Sequence, residues 1–394
     1  MITGDSIVQL SRQDQQRDIA SNTAPTICAM STQIYPLGKY TQSEINDLVS
    51  KQAENEVTWY ISEVINNQVD SIKDVLQSCI SHLDETDSTT YKLPLSSHKS
   101  EVLKGTVTRQ NFKICDMHLV INCRSFNGGR KSEYRMVPGQ HIILRQLLDC
   151  HDGMVNALAN ITKIEENEKH GNKPARFVRY MDMVCSHVSI ARKSLLNPDP
   201  AYEFPRYRTN GKAFEPLFPK TAAVDFTIGN GEMTVEFRSL SLVDKRPWNV
   251  VTDPMNKLSF ADIVRKQISA QRGVPMNKII MDNYTEYLEW RKSHPESKKG
   301  PTHEEESGLG STIKNIFTSN SDPSVSTLIK TAPTYLEQSI TYMDDRNQPF
   351  VVKVIDKCEV VTSDPVLLSI SVKLESIEKT LLRIQGNLGD IYKR

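Results

Sequence analysis

Residues 364–394, DPVLLSISVKLESIEKTLLRIQGNLGDIYKR, decide how the rest of the chain is read. Asp364 is a good N-cap, and Pro365 fits the first helical position, where its missing N–H costs nothing. From there Leu367, Leu374, Leu381 and Leu388 recur every seventh residue, interleaved with Ile370, Ile377, Ile384 and Ile391 at the alternate heptad position. Leu at a with Ile at d disfavours a two-stranded parallel coil and shifts preference to trimers or tetramers. The pattern predicts an oligomerisation helix over 363–394, with self-association as the leading reading. Docking of the same stripe on the chain's own core is the alternative, which Gly386 and Gly389 favour by weakening the last turns.

Upstream, a second helix is predicted over 41–84. Thr41 and Glu44 form a capping box, and Ile45, Leu48, Val57, Ile61, Ile65, Ile72, Leu76 and Leu83 continue at helical spacing. Residues 1–40 are rich in Ser, Thr, Gln and Asn without a sustained period and read as a mobile arm. The stretch DETDSTTYKLPLSSHKSE reads as a linker stopped by Pro94. A mixed central domain spans about 100–290. It holds a hairpin turning at Asn127-Gly128-Gly129, a helix after Pro138-Gly139, and a second hairpin turning at Asn230-Gly231. A charged, Gly/Pro/Ser-rich linker over 291–326 and a mixed segment over 327–362 complete an α+β organisation.

Composition narrows the function classes. The 394 residues carry 48 basic and 48 acidic side chains, so no global field draws the chain to nucleic acid or to an anionic surface. Seven scattered cysteines without a C-x-x-C pair read as free thiols of a reducing compartment. Cys115 and Cys123, the outer members of a Cys/His set with His118, would lie roughly 26 Å apart on a strand, which excludes a shared zinc. No apolar run reaches the length of a membrane span, and the N-terminus lacks a signal-peptide pattern, so the expected location is cytoplasmic or nuclear.

Two local constellations carry chemistry. Residues 171–220 hold nine basic against four acidic side chains, with aromatics among them, as in KPARFVRY and YEFPRYRTNGK. Lys173, Arg176, Arg179, Tyr180, Arg206, Tyr207 and Arg208 are the candidate contacts to RNA or single-stranded DNA, cations for phosphates and rings for unpaired bases. The second is the Asn230-Gly231 hairpin, whose two-residue turn sets Asp225 opposite Glu236 and Thr227 opposite Thr234. Opposed carboxylates need a cation between them. Arg238, diagonal to Asp225, supplies one; a divalent metal held by Asp225 and Glu236 is the other solution, in a layout that loosely resembles the PD-(D/E)xK nucleases. Arg238 stands at the position of that family's catalytic lysine and cannot deprotonate.

FADIVRKQISAQRGVPMNKIIMDNYTEYLEW shares the helix-turn-helix outline, but Asp282, Glu286 and Glu289 would meet phosphates unfavourably, and its apolar residues read as core. No nucleotide-binding or hydrolase motif occurs, and no cofactor is implied. The function these features point to is non-enzymatic. They describe an oligomeric scaffold that binds RNA or single-stranded nucleic acid, with other protein partners, in a layout that suits a virus-encoded assembly protein. A metal-dependent nuclease and a protein-only oligomeric adaptor are the alternatives.

Overall fold

The structure is a computed structural model that describes residues 40–96, 101–169, 173–253, 255–293, 322–343 and 348–392. The expected arm, apart from Tyr40, and most of the 291–326 linker lie outside these residues. The described residues up to Asn55 form one unit, and those from Glu56 onward another. Helix α1 (Gln42–Tyr60) begins in the first, opening on the predicted capping box, with the Thr41 N–H donating to Glu44 Oε2 at 2.7 Å.

In the second unit the helix passes through a π-helical turn, Ile61–Ile65, into α2 (Asn66–Ser81). The sequence explains the turn. Val57, Ile61, Ile65 and Val69 are all buried and stand four apart. At about 100° per residue, a spacing of four drifts about 40° at each step. Local underwinding cancels that drift and keeps the stripe on one side. Beyond Val69 the buried positions Ile72, Leu76, Cys79 and Leu83 alternate three and four, and the regular helix resumes.

Helices α3 (Arg145–Lys169) and α4 (Pro174–Leu196) form an antiparallel pair, and α8 (Pro365–Tyr392) completes a ring in which α2 meets α3 and α8, and α4 meets α3 and α8. Polar links fix the register. Lys73 pairs with Glu165 at 2.6 Å between α2 and α3, and Gln385 donates to Asp182 at 2.7 Å between α8 and α4. Arg192 of α4 pairs with Glu378 of α8. Gly153 lets α3 and α4 approach closely, because a β-carbon there would lie 3.0 Å from the Ala191 Cβ.

The heptad seam of α8 faces this bundle. All eight seam residues, Leu367 to Ile391, are between 0% and 9% exposed within a single copy of the chain. The expectation of a trimer or tetramer held by this stripe is thereby corrected. A 3.5-residue period serves an intramolecular four-helix bundle as well as an intermolecular coil, since both pack helices at about 20° with the same knobs and holes.

Two antiparallel sheets flank the bundle. The first has the order β1-β2-β3-β4-β6, with β5 also paired to β3: β1 (Thr90–Leu95), β2 (Leu103–Gln110), β3 (Lys113–Ile121), β4 (Ser132–Met136), β5 (Ile142–Ile143) and β6 (Phe214–Glu215). The segment read as a Pro-stopped linker is thus the edge strand β1, where Pro94 needs no second partner. The second sheet comprises β7 (Ala222–Gly229), β8 (Glu232–Leu242), β11 (Ile340–Met343) and β12 (Pro349–Ser363), in the order β11-β12-β8-β7. The short pair β9 (Val251–Asp253) and β10 (Leu258–Ser259) leads into α5 (Phe260–Ala270), followed by α6 (Met276–Ser293) and α7 (Val325–Gln338). These three helices enclose a separate core of Trp248, Phe260, Val264, Ile280, Tyr284, Tyr287 and Leu328. The helix-turn-helix outline is therefore a core-building pair.

Candidate interaction surface and its anchor

The β7–β8 hairpin turns at Asn230 and Gly231, both at positive φ, 51° and 77°, as a two-residue type I′ turn requires. Its tip is held from two sides. Asn230 and Gly231 donate their N–H groups to the carbonyls of Leu196 and Leu195 at 3.1 and 3.0 Å, closing the C-terminus of α4. A β-carbon on Gly231 would meet the Leu367 carbonyl oxygen at 3.1 Å, so the tip also abuts the start of α8. Gln146, buried on α3, accepts from the Ile228 N–H at 2.7 Å and donates to the Ile228 carbonyl at 2.8 Å. The hairpin is rigidly seated.

That seating fixes a ladder of charges across the second sheet, largely buried at Asp225, Glu236 and Arg238 and exposed at Lys357 and Glu359. Asp225 stands opposite Glu236, and Glu236 opposite Glu359; in the neighbouring row Arg238 stands opposite Lys357. Arg238 bridges the two carboxylates that the turn sets face to face, through Nη1 to Asp225 Oδ2 and through Nη2 to Glu236 Oε2 at 2.7 Å. Lys357 reaches Glu236 from the far side. The Phe204 ring lies over the Arg238 guanidinium, 4.7 Å from its centroid. Asp225 is 3% exposed. Burial pushes its carboxyl up to about 6 against the opposing pull of Arg238, and the Glu203 charge adds to the rise. A buried, paired carboxylate of this kind holds geometry.

The metal alternative at Asp225 and Glu236 is corrected here. An arginine occupies the space between the carboxylates, and no group of three or more potential metal ligands occurs among the described residues.

A second buried pair anchors β12 and α8 to the first sheet. Asp364 is the predicted N-cap of α8, accepting from the Val366 and Leu367 N–H groups at 3.0 and 3.2 Å. Its other oxygen accepts from Arg109 Nε at 2.6 Å, and both side chains are fully buried. Arg109, on β2, also lies over the Tyr91 ring at 4.7 Å. Asp364 was legible as a cap; its partner stands 255 residues earlier and carries no sequence signal.

The basic stretch does not form one surface. Lys173, Arg176 and Arg179 are exposed at the start of α4, with Tyr180 half-buried among them. Arg206, Tyr207 and Arg208 follow the other end of that helix, about 34 Å away along its axis at about 1.5 Å per residue. The Arg208 guanidinium lies 5.3 Å from the Tyr342 ring centroid and donates to the Met343 carbonyl at 3.3 Å, and burial pushes the Tyr207 hydroxyl up. Of the aromatics in YEFPRYRTNGK, Phe204 stacks on the chain's own Arg238.

The described body is thus a helical bundle closed by a heptad helix, with an antiparallel sheet seated on it through the β7–β8 hairpin. The chain belongs to the family described as Rogdi leucine zipper containing protein, whose family model matches residues 56–389 and so takes in the described body from the π-helical turn to the seam of α8. It is also similar to a Saccharomyces cerevisiae protein, "Regulator of V-ATPase in vacuolar membrane protein 2", at 26% identity over 378 residues, covering 91% of this chain and 97% of the relative. These findings overturn the reading as a virus-encoded, RNA-binding scaffold, and with it the nuclease alternative: the similarity runs end to end to a yeast pump regulator. Cations and rings interleaved in sequence also arise where a loop folds over a sheet, as Phe204 and Arg208 do here.

Proposed function

We propose that this chain regulates a V-ATPase through protein contacts, without catalysing a reaction itself. The observation that carries the reading is the similarity to the yeast regulator over nearly the whole of both chains. The geometry supports it with a rigidly seated sheet that presents Lys357 and Glu359 at its surface, charges of the sort that select a protein partner by electrostatic complementarity. The partner is the pump or a protein acting on it, in place of the trimer or tetramer expected from the heptads, because those heptads are occupied within the chain. No described helix is long and apolar enough to cross a membrane. The test is replacement of the yeast relative by this chain in cells lacking it. Vacuolar acidification and pump assembly should recover; an expressed, folded chain that restores neither would overturn the proposal.

A further inference from the structure

The groove between α2 and α8 is a cavity that the function proposed above leaves unused. Two hydrogen bonds bracket it, from Lys373 Nζ to Ser78 Oγ at 3.3 Å at one end and from Asn387 Nδ2 to the Tyr60 hydroxyl at 2.7 Å at the other. Between them a volume of about 350 Å³ stays open, floored by the buried Ile72 and Ile377. The heptad explains its polar wall. With the Leu and Ile residues of α8 turned into the bundle, Lys373 and Thr380 stand one heptad apart, as do Ser376 and Arg383, and all four share the flank that faces α2. Gln68 and Ser71 of α2 line the opposite wall.

The charges in this groove are of one sign. Its lining, among the described residues, holds Lys373 and Arg383 and no carboxylate. Arg383 has no ion-pair or hydrogen-bond partner among the described residues. Lys373 has no carboxylate partner there either; it meets the Ser78 hydroxyl, and its charge acts on the buried Cys79 thiol. The carboxylates that neighbour these residues in sequence are committed elsewhere. Glu375 pairs with Lys379 at 2.7 Å, Glu378 pairs with Arg192, and Asp70 and Asp74 act on Lys73, which Glu165 holds on the α3 side. The two cations stand ten residues, about 15 Å, apart along α8, room for separate phosphate groups. Gln68 adds a different demand: its Oε1 is buried without a hydrogen-bond partner. A phosphate oxygen cannot donate to it, but a hydroxyl can.

We propose that the α2–α8 groove binds a phosphorylated polyol, free or as a lipid headgroup, with Lys373 and Arg383 holding phosphates and Gln68 accepting from a ring hydroxyl. Ser71, Ser376 and Thr380 complete the site, since a side-chain hydroxyl donates to phosphate and accepts from a polyol equally well. The volume lies at the small end of the range of ligand sites, about 300 to 1,000 Å³, which suits a single ring. A carboxylate or inorganic phosphate would meet a cation but bring no donor to Gln68.

The experiment is calorimetric titration of the full chain with inositol trisphosphate, alongside pyrophosphate and unphosphorylated inositol. The trisphosphate should bind, less tightly as salt is added, and inositol should not. K373Q and R383Q should each weaken binding about tenfold or more, the loss expected for one charge-assisted hydrogen bond. Q68M should weaken the trisphosphate by about severalfold and leave pyrophosphate unchanged. Lys373 and Gln68 are half-buried and Arg383 is exposed, so the bundle keeps its seam in each variant, which a retained cooperative urea transition verifies. Phosphatidylcholine vesicles with and without phosphatidylinositol bisphosphate separate the two sources. Flotation with the phosphorylated lipid alone assigns a headgroup, and binding of the soluble trisphosphate without flotation assigns a free polyol. Binding to neither, or undiminished binding by the cation variants, would overturn the proposal. A Q68M effect that is absent, or equal for both soluble probes, would overturn the assignment to a polyol. Neither assay contains a pump, so the outcome is independent of the function proposed above.

Discussion

Replacing Leu374 and Leu381 by Ala tests whether α8 is a structural wall of this fold. Both side chains are essentially inaccessible, 0% and 1% exposed, so truncation removes buried methyl groups and leaves cavities that the ring of helices can only partly close. A buried Leu→Ala change costs about 2 to 5 kcal/mol. The two sites lie seven residues apart, roughly 10 Å along the helix, far enough for their effects to add. The double variant should therefore lose about 4 to 10 kcal/mol, comparable to the whole net stability of an ordinary domain at about 5 to 15 kcal/mol. The expected result is loss of the cooperative urea transition in the double variant and a clear fall in midpoint for each single one, with midpoints independent of protein concentration. Sedimentation in parallel would show a mass that does not change between the wild type and the single variants. The reasoning would be refuted by an oligomeric wild type whose mass falls in the variant while the urea midpoint of the remaining body stays put, because the seam would then lie between copies.

Asp225→Asn should make stability less dependent on pH. The native carboxyl titrates near 6, above its ordinary value, so the folded state binds the proton more tightly and the wild type loses stability as pH rises from about 4 to about 6. The asparagine variant should lack that component, on the order of 3 kcal/mol for a shift of about two units, as read from urea midpoints at several pH values. Arg109→Met should lower the urea midpoint by the equivalent of about 3 to 5 kcal/mol, because it strands the Asp364 carboxylate in a dry site; a change below about 1 kcal/mol would show that the two cap hydrogen bonds alone satisfy it.

How much of this was readable in the chain follows the range of each interaction. Local signals were legible: the capping box at Thr41, the cap at Asp364 and the type I′ turn at Asn230-Gly231, which sets Asp225 across from Glu236. The cation between those carboxylates was also within reach, since Arg238 is only two residues along its strand. What failed was non-local. Pro94 looked like a stop because nothing local says that β1 is an edge, and the need for Gly153 within α3 shows only where the Ala191 side chain stands against it. Arg109 is an ordinary strand residue until Asp364 is placed beside it. The heptads of α8 were read correctly as a seam, but periodicity records how a helix packs and is silent on whose helix lies opposite.

The strand β12 joins the parts of the second unit into one mechanical element. Val351 near its start packs in the core of α5, α6 and α7. Its middle carries Lys357 and Glu359 on the charged face, and it runs directly into Asp364, the buried cap of α8. A partner that grips the charged face therefore pulls on a strand with no loop between it and the bundle. Displacing β12 along its length would have to break the Arg109–Asp364 pair and shift the Leu367 end of α8 against the hairpin tip at Gly231. Packed cores resist such sliding, since every step empties one contact before filling another. The face thus offers a partner a stiff surface, in which binding energy is not spent on ordering the site, as the regulation by contact proposed above requires.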